Sequence, residues 1–122
     1  MIIIKNLTGE VLHEISAVSL VNADFRPLKM YKADLRGLDL RGANFEHADC
    51  RAADFTGADL SGATLAYAIL KDAILKDTNL CGADLERAHL EGAQIEGAQI
   101  DSNTRTFKLR ADGASGSWRV RK

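Results

Sequence analysis

From Leu20 to Ile100 every fifth residue of the chain is apolar, without exception. Two positions before each of these stands a second column, alanine at 23, 33, 43, 48, 53 and onward to 98, interrupted by Val18, Leu28, Leu38 and Thr78. A period of five suits neither regular element. On an α-helix, at about 100° per residue, five steps advance about 140° past a full turn and scatter the large residues around the cylinder. On a flat strand five is an odd number, so successive large residues fall on opposite faces. What keeps them all inside is a chain that bends the same way once per pentapeptide and coils around its own core.

In such a unit the large residue at i and the alanine at i−2 share the inner face of a short extended segment, and i−1 points out. Alternating small and large side chains is what a narrow interior holds at native packing density. The next two residues form the corner. Glycine recurs at the second corner position (Gly37, Gly42, Gly57, Gly62, Gly82, Gly92, Gly97), which predicts a turn conformation that a β-carbon penalises. The first units are less regular. Pro27 lacks the N–H a ladder needs and fits best near one end of the coil.

Segments such as Ala33-Asp34-Leu35-Arg36-Gly37, Ala43-Asn44-Phe45 and Ala58-Asp59-Leu60-Ser61-Gly62 resemble the pentapeptide-repeat family, consensus A(D/N)LxX, over residues 18–102. The resemblance implies an all-β fold, a right-handed quadrilateral β-helix with four pentapeptides per coil. About four coils, at about 4.8 Å each, make a rod roughly 20 Å long. Residues twenty apart then stack in columns such as Asp39, Asp59, Asn79 and Asp34, Asp54, Ile74.

A solenoid needs covers for its apolar ends and open strand edges. Residues 1–17 are expected to form an N-terminal β-hairpin cap, with Ile2 to Asn6 answered by Val11 to Ile15 across Leu7-Thr8-Gly9-Glu10. Residues 103–122 are expected to form a basic C-terminal hairpin or tail. There Phe107 and Leu109 alternate with Thr106, Lys108 and Arg110, and Trp118 and Val120 answer them beyond the loop Asp112-Gly113-Ala114-Ser115-Gly116.

Composition narrows the function classes. No apolar stretch approaches the roughly 18 residues of a spanning helix, and no basic region precedes the apolar start as in a secretory signal. A cytoplasmic location without membrane contact is therefore expected. Charge is close to balanced, 16 Lys+Arg against 17 Asp+Glu, but unevenly placed: residues 18–102 carry net −5 and residues 103–122 net +5.

The pattern points to no catalytic residues, no cofactor and no metal site. His13, His47 and His89 fall in unrelated settings, Cys50 belongs to the core column and Cys81 to the outer surface, and a filled core leaves no substrate pocket. Two surfaces stand out. Tyr67, Ile69 and Ile74 are apolar at outward positions and are expected to form one compact protein-contact patch, with Tyr31 added through the column Tyr31, Arg51, Lys71. Phe107, Trp118, Arg119 and Arg121 are expected to share one basic-aromatic surface for a homodimer through the terminal cap or for an anionic partner. The first expectation for function is a non-catalytic interaction or scaffold protein with an unidentified protein partner, nucleic acid not being favoured. The alternative implied by the resemblance is a DNA-mimic regulator of DNA gyrase, a type II topoisomerase, in which acidic columns imitate a duplex. Arg36, Arg41 and Arg51, close to those aspartates, weigh against it.

Overall fold

The computed structural model describes all of residues 1–122. Parallel bridges join residues twenty apart, Asp24 to Asn44 to Thr64 to Asp84 along one side and Asp39 to Asp59 to Asn79 to Gln99 along another. The chain therefore closes one circuit every four pentapeptides and has four flat faces. We number these in chain order by their outward residues: the first carries Asp24, the second Lys29, the third Asp34 and the fourth Asp39.

Each face is built from the same small set of bonds. In the unit around Leu60, the Leu60 N–H donates up to Asn79 O (2.8 Å), the Asp59 N–H donates down to Leu38 O (2.9 Å), and the Ala63 N–H closes the corner onto Leu60 O (3.0 Å). The second corner residue is left-handed almost throughout, as the third residue of a type II turn must be. Glycine suits that position, yet side chains occupy it at Asn22, Lys32, His47, Ala52, Tyr67, Asp72, Asp77, Arg87 and Lys108, all with φ between 52° and 61°.

The inward columns form one continuous core of 29 buried residues running from Ile4 to Ala98. Thr78 breaks the alanine column without harm, because its hydroxyl donates to Phe55 O at 2.8 Å and is thereby satisfied. Val18 departs from its expected inward position: it is fully exposed, since no lower coil pairs beneath it. Leu28 and Leu38 are half-buried against the core edge.

At the N-terminal end β1 (Ile2–Lys5) pairs antiparallel with β2 (Val11–Ile15). Ile4 is buried beneath the first coil, and Ile2, Leu12 and Ile15 pack around it. Main-chain bonds fix the hairpin in place: Asp34 N–H to Lys5 O (2.8 Å) and Leu7 N–H to Lys32 O (2.9 Å). The His13 Nε2 donates to Lys29 O at 2.7 Å.

The C-terminal segment differs from the expected hairpin. Residues 103–122 continue the solenoid as a fifth coil, in which β3 (Gln99–Ile100) pairs parallel with β4 (Arg119–Val120). The rod thus has about five coils rather than four, roughly 24 Å at about 4.8 Å each. A one-residue insertion between Ile100 and Arg105 hides this coil from a count in fives. Pairing passes to a spacing of twenty-one at Asp84–Arg105, His89–Arg110 and Gln94–Ser115, then returns to twenty at Gln99–Arg119. Asp101 holds the longer corner together, its Oδ1 accepting the Gly82 and Asn103 N–H groups, each at 3.0 Å. Burial raises its pKa, but these bonds and that from the Thr104 hydroxyl outweigh it, and the carboxyl stays below its ordinary range.

Candidate functional site

The interior is filled, so the chemistry of this molecule is displayed on its outer faces. The first coils carry a repeated charge clamp. Wherever Asp at i−1 is followed two residues later by Arg, the guanidinium bends back onto the carboxylate in two parallel bonds: Asp24–Arg26, Asp34–Arg36, Asp39–Arg41 and Asp49–Arg51, with shortest contacts of 2.7–2.9 Å. The same oxygens take the corner N–H, as in the Asp24 Oδ1 contact with Arg26 N at 3.0 Å. These bonds, the guanidinium first, hold the Asp24 carboxyl at about 2 and hold Asp34, Asp39 and Asp49 below their ordinary range.

The three residues expected to form one patch are divided by a corner. Ile69 stands on the second face between Asp49 and His89, whereas Ile74 stands on the third between Asp54 and Gln94. Both are half-buried. They flank the convex Lys71–Asp72 corner, and Tyr67 lies one corner away, between the first and second faces. The prediction of a single patch missed this because the five-beat moves each successive unit to a new face. Tyr67 is stacked on His47, with ring centroids 4.8 Å apart and planes 14° from parallel. Tyr31 receives Arg51 over its ring at 5.4 Å.

The basic-aromatic set is also dispersed, because the segment coils instead of doubling back. Phe107 occupies the corner between the first and second faces and is exposed. Trp118 turns inward on the fourth face and packs against the end of the core. Arg119 points outward from that face, and Arg121 beyond it reaches Gln99 Oε1 at 3.3 Å. Lys108 and Arg110 lie on the opposite side of the rod.

One concave feature was not visible in the periodic pattern. A cleft of about 190 Å³ lies where the first and second faces meet, lined by Tyr67, Arg87, His89, Lys108 and Arg110. Arg87 and Lys108 are twenty-one residues apart, so only the shifted register brings them together. The missed signal was the absence of Asp two residues before Arg87 and before Arg110, which leaves both without the clamp described above.

The remaining groups are separate. Cys50 and Cys81 are free, and burial, with help from Asp49, pushes the Cys50 thiol far above its ordinary range. No three His, Cys, Asp or Glu side chains converge as metal ligands.

The family model for pentapeptide repeats matches residues 15–46, 43–80 and 68–101. The chain belongs to the pentapeptide-repeat family. Its coil is accordingly the right-handed quadrilateral β-helix of pentapeptide-repeat proteins. Among solved structures it is similar to HetL, a pentapeptide repeat protein involved in heterocyst differentiation regulation from the cyanobacterium Nostoc sp. strain PCC 7120. The two share 33% identity with a TM-score of 0.65, over 83% of this chain and 46% of HetL. It is also similar to the pentapeptide repeat protein Rfr23 from the cyanobacterium Cyanothece 51142, at 29% identity and a TM-score of 0.55, over 85% of this chain and 63% of that one. This pentapeptide-repeat chain therefore spans about half the length of HetL. No curated protein sequence matches it.

Proposed function

We propose that this pentapeptide-repeat chain is a non-catalytic interaction module that offers a rigid four-sided rod to a protein partner in the cytoplasm. The observation that carries the reading is the filled interior: the inward columns are buried without a break from Leu40 to Ala98 along the coil axis, and catalytic-type side chains face outward one by one. The two free thiols suit a reducing compartment. The ridge formed by Ile69, Lys71, Asp72 and Ile74 is the contact we assign to the partner, a convex corner with apolar flanks that fits a partner's groove.

The alternative, a duplex mimic acting on DNA gyrase, requires sustained uncompensated negative charge. The clamped pairs Asp24–Arg26, Asp34–Arg36, Asp39–Arg41 and Asp49–Arg51 remove that charge from the first two coils, which favours the interaction module.

Affinity capture with the wild-type protein, Ile69→Asp and Ile74→Asp tests the reading. A partner held by the wild type and lost from both variants supports the ridge. Equal retention by both variants overturns it. Inhibition of gyrase supercoiling by micromolar protein overturns the interaction-module reading in favour of the mimic.

A further inference from the structure

The basic side chains of this rod fall into two groups. In the first two coils Arg26, Arg36, Arg41 and Arg51 are each clamped by an aspartate. Around the cleft at the junction of the first and second faces, Arg87, Lys108 and Arg110 pair with no acid. Of the carboxylates nearby, Asp84 and Glu86 pair with Arg105, each at 3.4 Å, and Glu91 Oε2 pairs with His89 at 3.4 Å and Lys71 at 3.9 Å, while Glu91 Oε1 is buried without a hydrogen-bond partner. The Nδ1 of His89 faces Glu91, which leaves Nε2 as the free nitrogen of a ring that lines the cleft.

Three uncompensated cations gathered around one concavity repel one another, and an anion placed among them relieves that repulsion. The corner column at this edge also keeps its side chains where the backbone favours glycine. His47, Tyr67, Arg87 and Lys108 are all left-handed, at φ 59°, 59°, 56° and 52°, whereas the two corners flanking the fourth face use glycine repeatedly. Rings position the cations: Arg87 lies over Tyr67 at 6.0 Å and over Phe107 at 5.7 Å, and Lys108 lies over Phe107 at 5.4 Å.

The cleft measures about 190 Å³, below the roughly 300 Å³ at which sites for drug-sized molecules begin. It has room for a phosphoryl group and a few attached atoms. A phosphate monoester carries about −1.5 to −2 charge at neutral pH, and guanidinium groups grip its oxygens in paired bonds. A nucleic-acid duplex fits poorly, because Glu86 and Glu91 border the cations on both neighbouring sides. We propose that this cleft binds the phosphoryl group of a small phosphate compound, with Arg87, Lys108 and Arg110 as its cationic ligands.

Amide chemical shifts followed through titrations with inorganic phosphate and phenyl phosphate, at matched ionic strength, test this. Saturable shifts centred on Tyr67, Arg87, His89, Lys108 and Arg110 are expected. Arg87→Gln and Lys108→Gln should each weaken binding at least tenfold, whereas Arg119→Gln with Arg121→Gln should change it less than twofold. Equal affinity for the two compounds supports recognition of the phosphoryl group alone, and tighter phenyl phosphate binding supports a ring contact with Tyr67 or Phe107 in addition. Lys108 is exposed, so Lys108→Gln remains informative if Arg87→Gln perturbs the fold. Non-saturating shifts, shifts of equal size at Arg119 and Arg121, or a short DNA duplex bound more tightly than phenyl phosphate would each overturn the proposal.

Discussion

Phe25 lies face to face with Phe45 one coil above it, ring centroids 4.5 Å apart and planes 5° from parallel. Across the interior, Phe55 meets Phe45 edge-on at 5.8 Å and 76°. The three rings lie in the coils next to the N-terminal hairpin, where the alanine column gives way to Leu28 and Leu38, and all three are fully buried. Offset and edge-on contacts add to the burial of each ring. Phe45→Ala is therefore expected to destabilise the fold by about 3–5 kcal/mol, read from urea unfolding at pH 7. Asp59→Ser, at an outward position where serine can still accept the Ser61 N–H, should remain within about 0.5 kcal/mol of wild type. Equal losses in the two variants would contradict the assignment of inward and outward columns.

Acid should weaken the protein through its clamped aspartates. Their folded pKa values lie below the ordinary value of about 3.9, so the stability they confer is complete above that value and is lost as pH falls through the folded pKa, about 2 for Asp24. The urea midpoint should hold from pH 7 to about 4.5 and then decline toward pH 2. In Arg26→Gln the Asp24 carboxyl, followed by carbon-13 NMR, should titrate at higher pH than in the wild type, the Arg26 main-chain N–H bond alone still lowering it. An unchanged titration would show that the guanidinium is not what depresses it.

The fifth coil should be separable from the rest. A β-carbon at Gly116 would stand 2.6 Å from the Glu96 amide nitrogen, with φ already at 97°, and backbone cannot move aside as a flexible side chain can. Gly116→Ala should loosen residues 103–122 while the lower coils stay folded. The expected signs are faster hydrogen exchange at Leu85, Leu90 and Ile95, whose N–H groups donate to that coil, and a red-shifted emission from Trp118.

Thiol chemistry should distinguish the two cysteines. Cys50 is sealed in the core, and its thiolate is strongly disfavoured, whereas Cys81 is partly exposed beside Arg121. A thiol reagent under native conditions should label Cys81 and leave Cys50 untouched until the protein unfolds. Equal labelling would show that the core opens locally.

The coil and its inward columns were legible in the sequence because packing acts on identity every five residues: Leu60, Ala63 and Leu65 must be inside together or not at all. The surface was less legible. Which face an outward residue occupies depends on counting circuits of twenty, so Ile69 and Ile74, close in sequence, face different directions. The insertion before Arg105 shifts the register by one as far as Ser115, and the original spacing returns at Arg119. Leu109 and Trp118 resembled the arms of a hairpin and Ala114 part of its loop; in the structure all three take inner positions of a further coil, Leu109 and Ala114 in the shifted phase and Trp118 in the recovered one. The cleft depended on the same shift, because Arg87 meets Lys108 only when the spacing is twenty-one. A motif read locally, Leu109-Arg110-Ala111-Asp112-Gly113, does carry the unit's corner glycine and marks the resumed phase.

That extra residue is absorbed in one corner and the original spacing is recovered by Arg119, a circuit later. The molecule thus behaves as a ruler with fixed graduations. Whole storeys can be added or removed without redrawing the marks below, and one long bend cancelled by a later short one leaves the levels aligned, so a partner that reads one vertical line of side chains meets the same interval at every level.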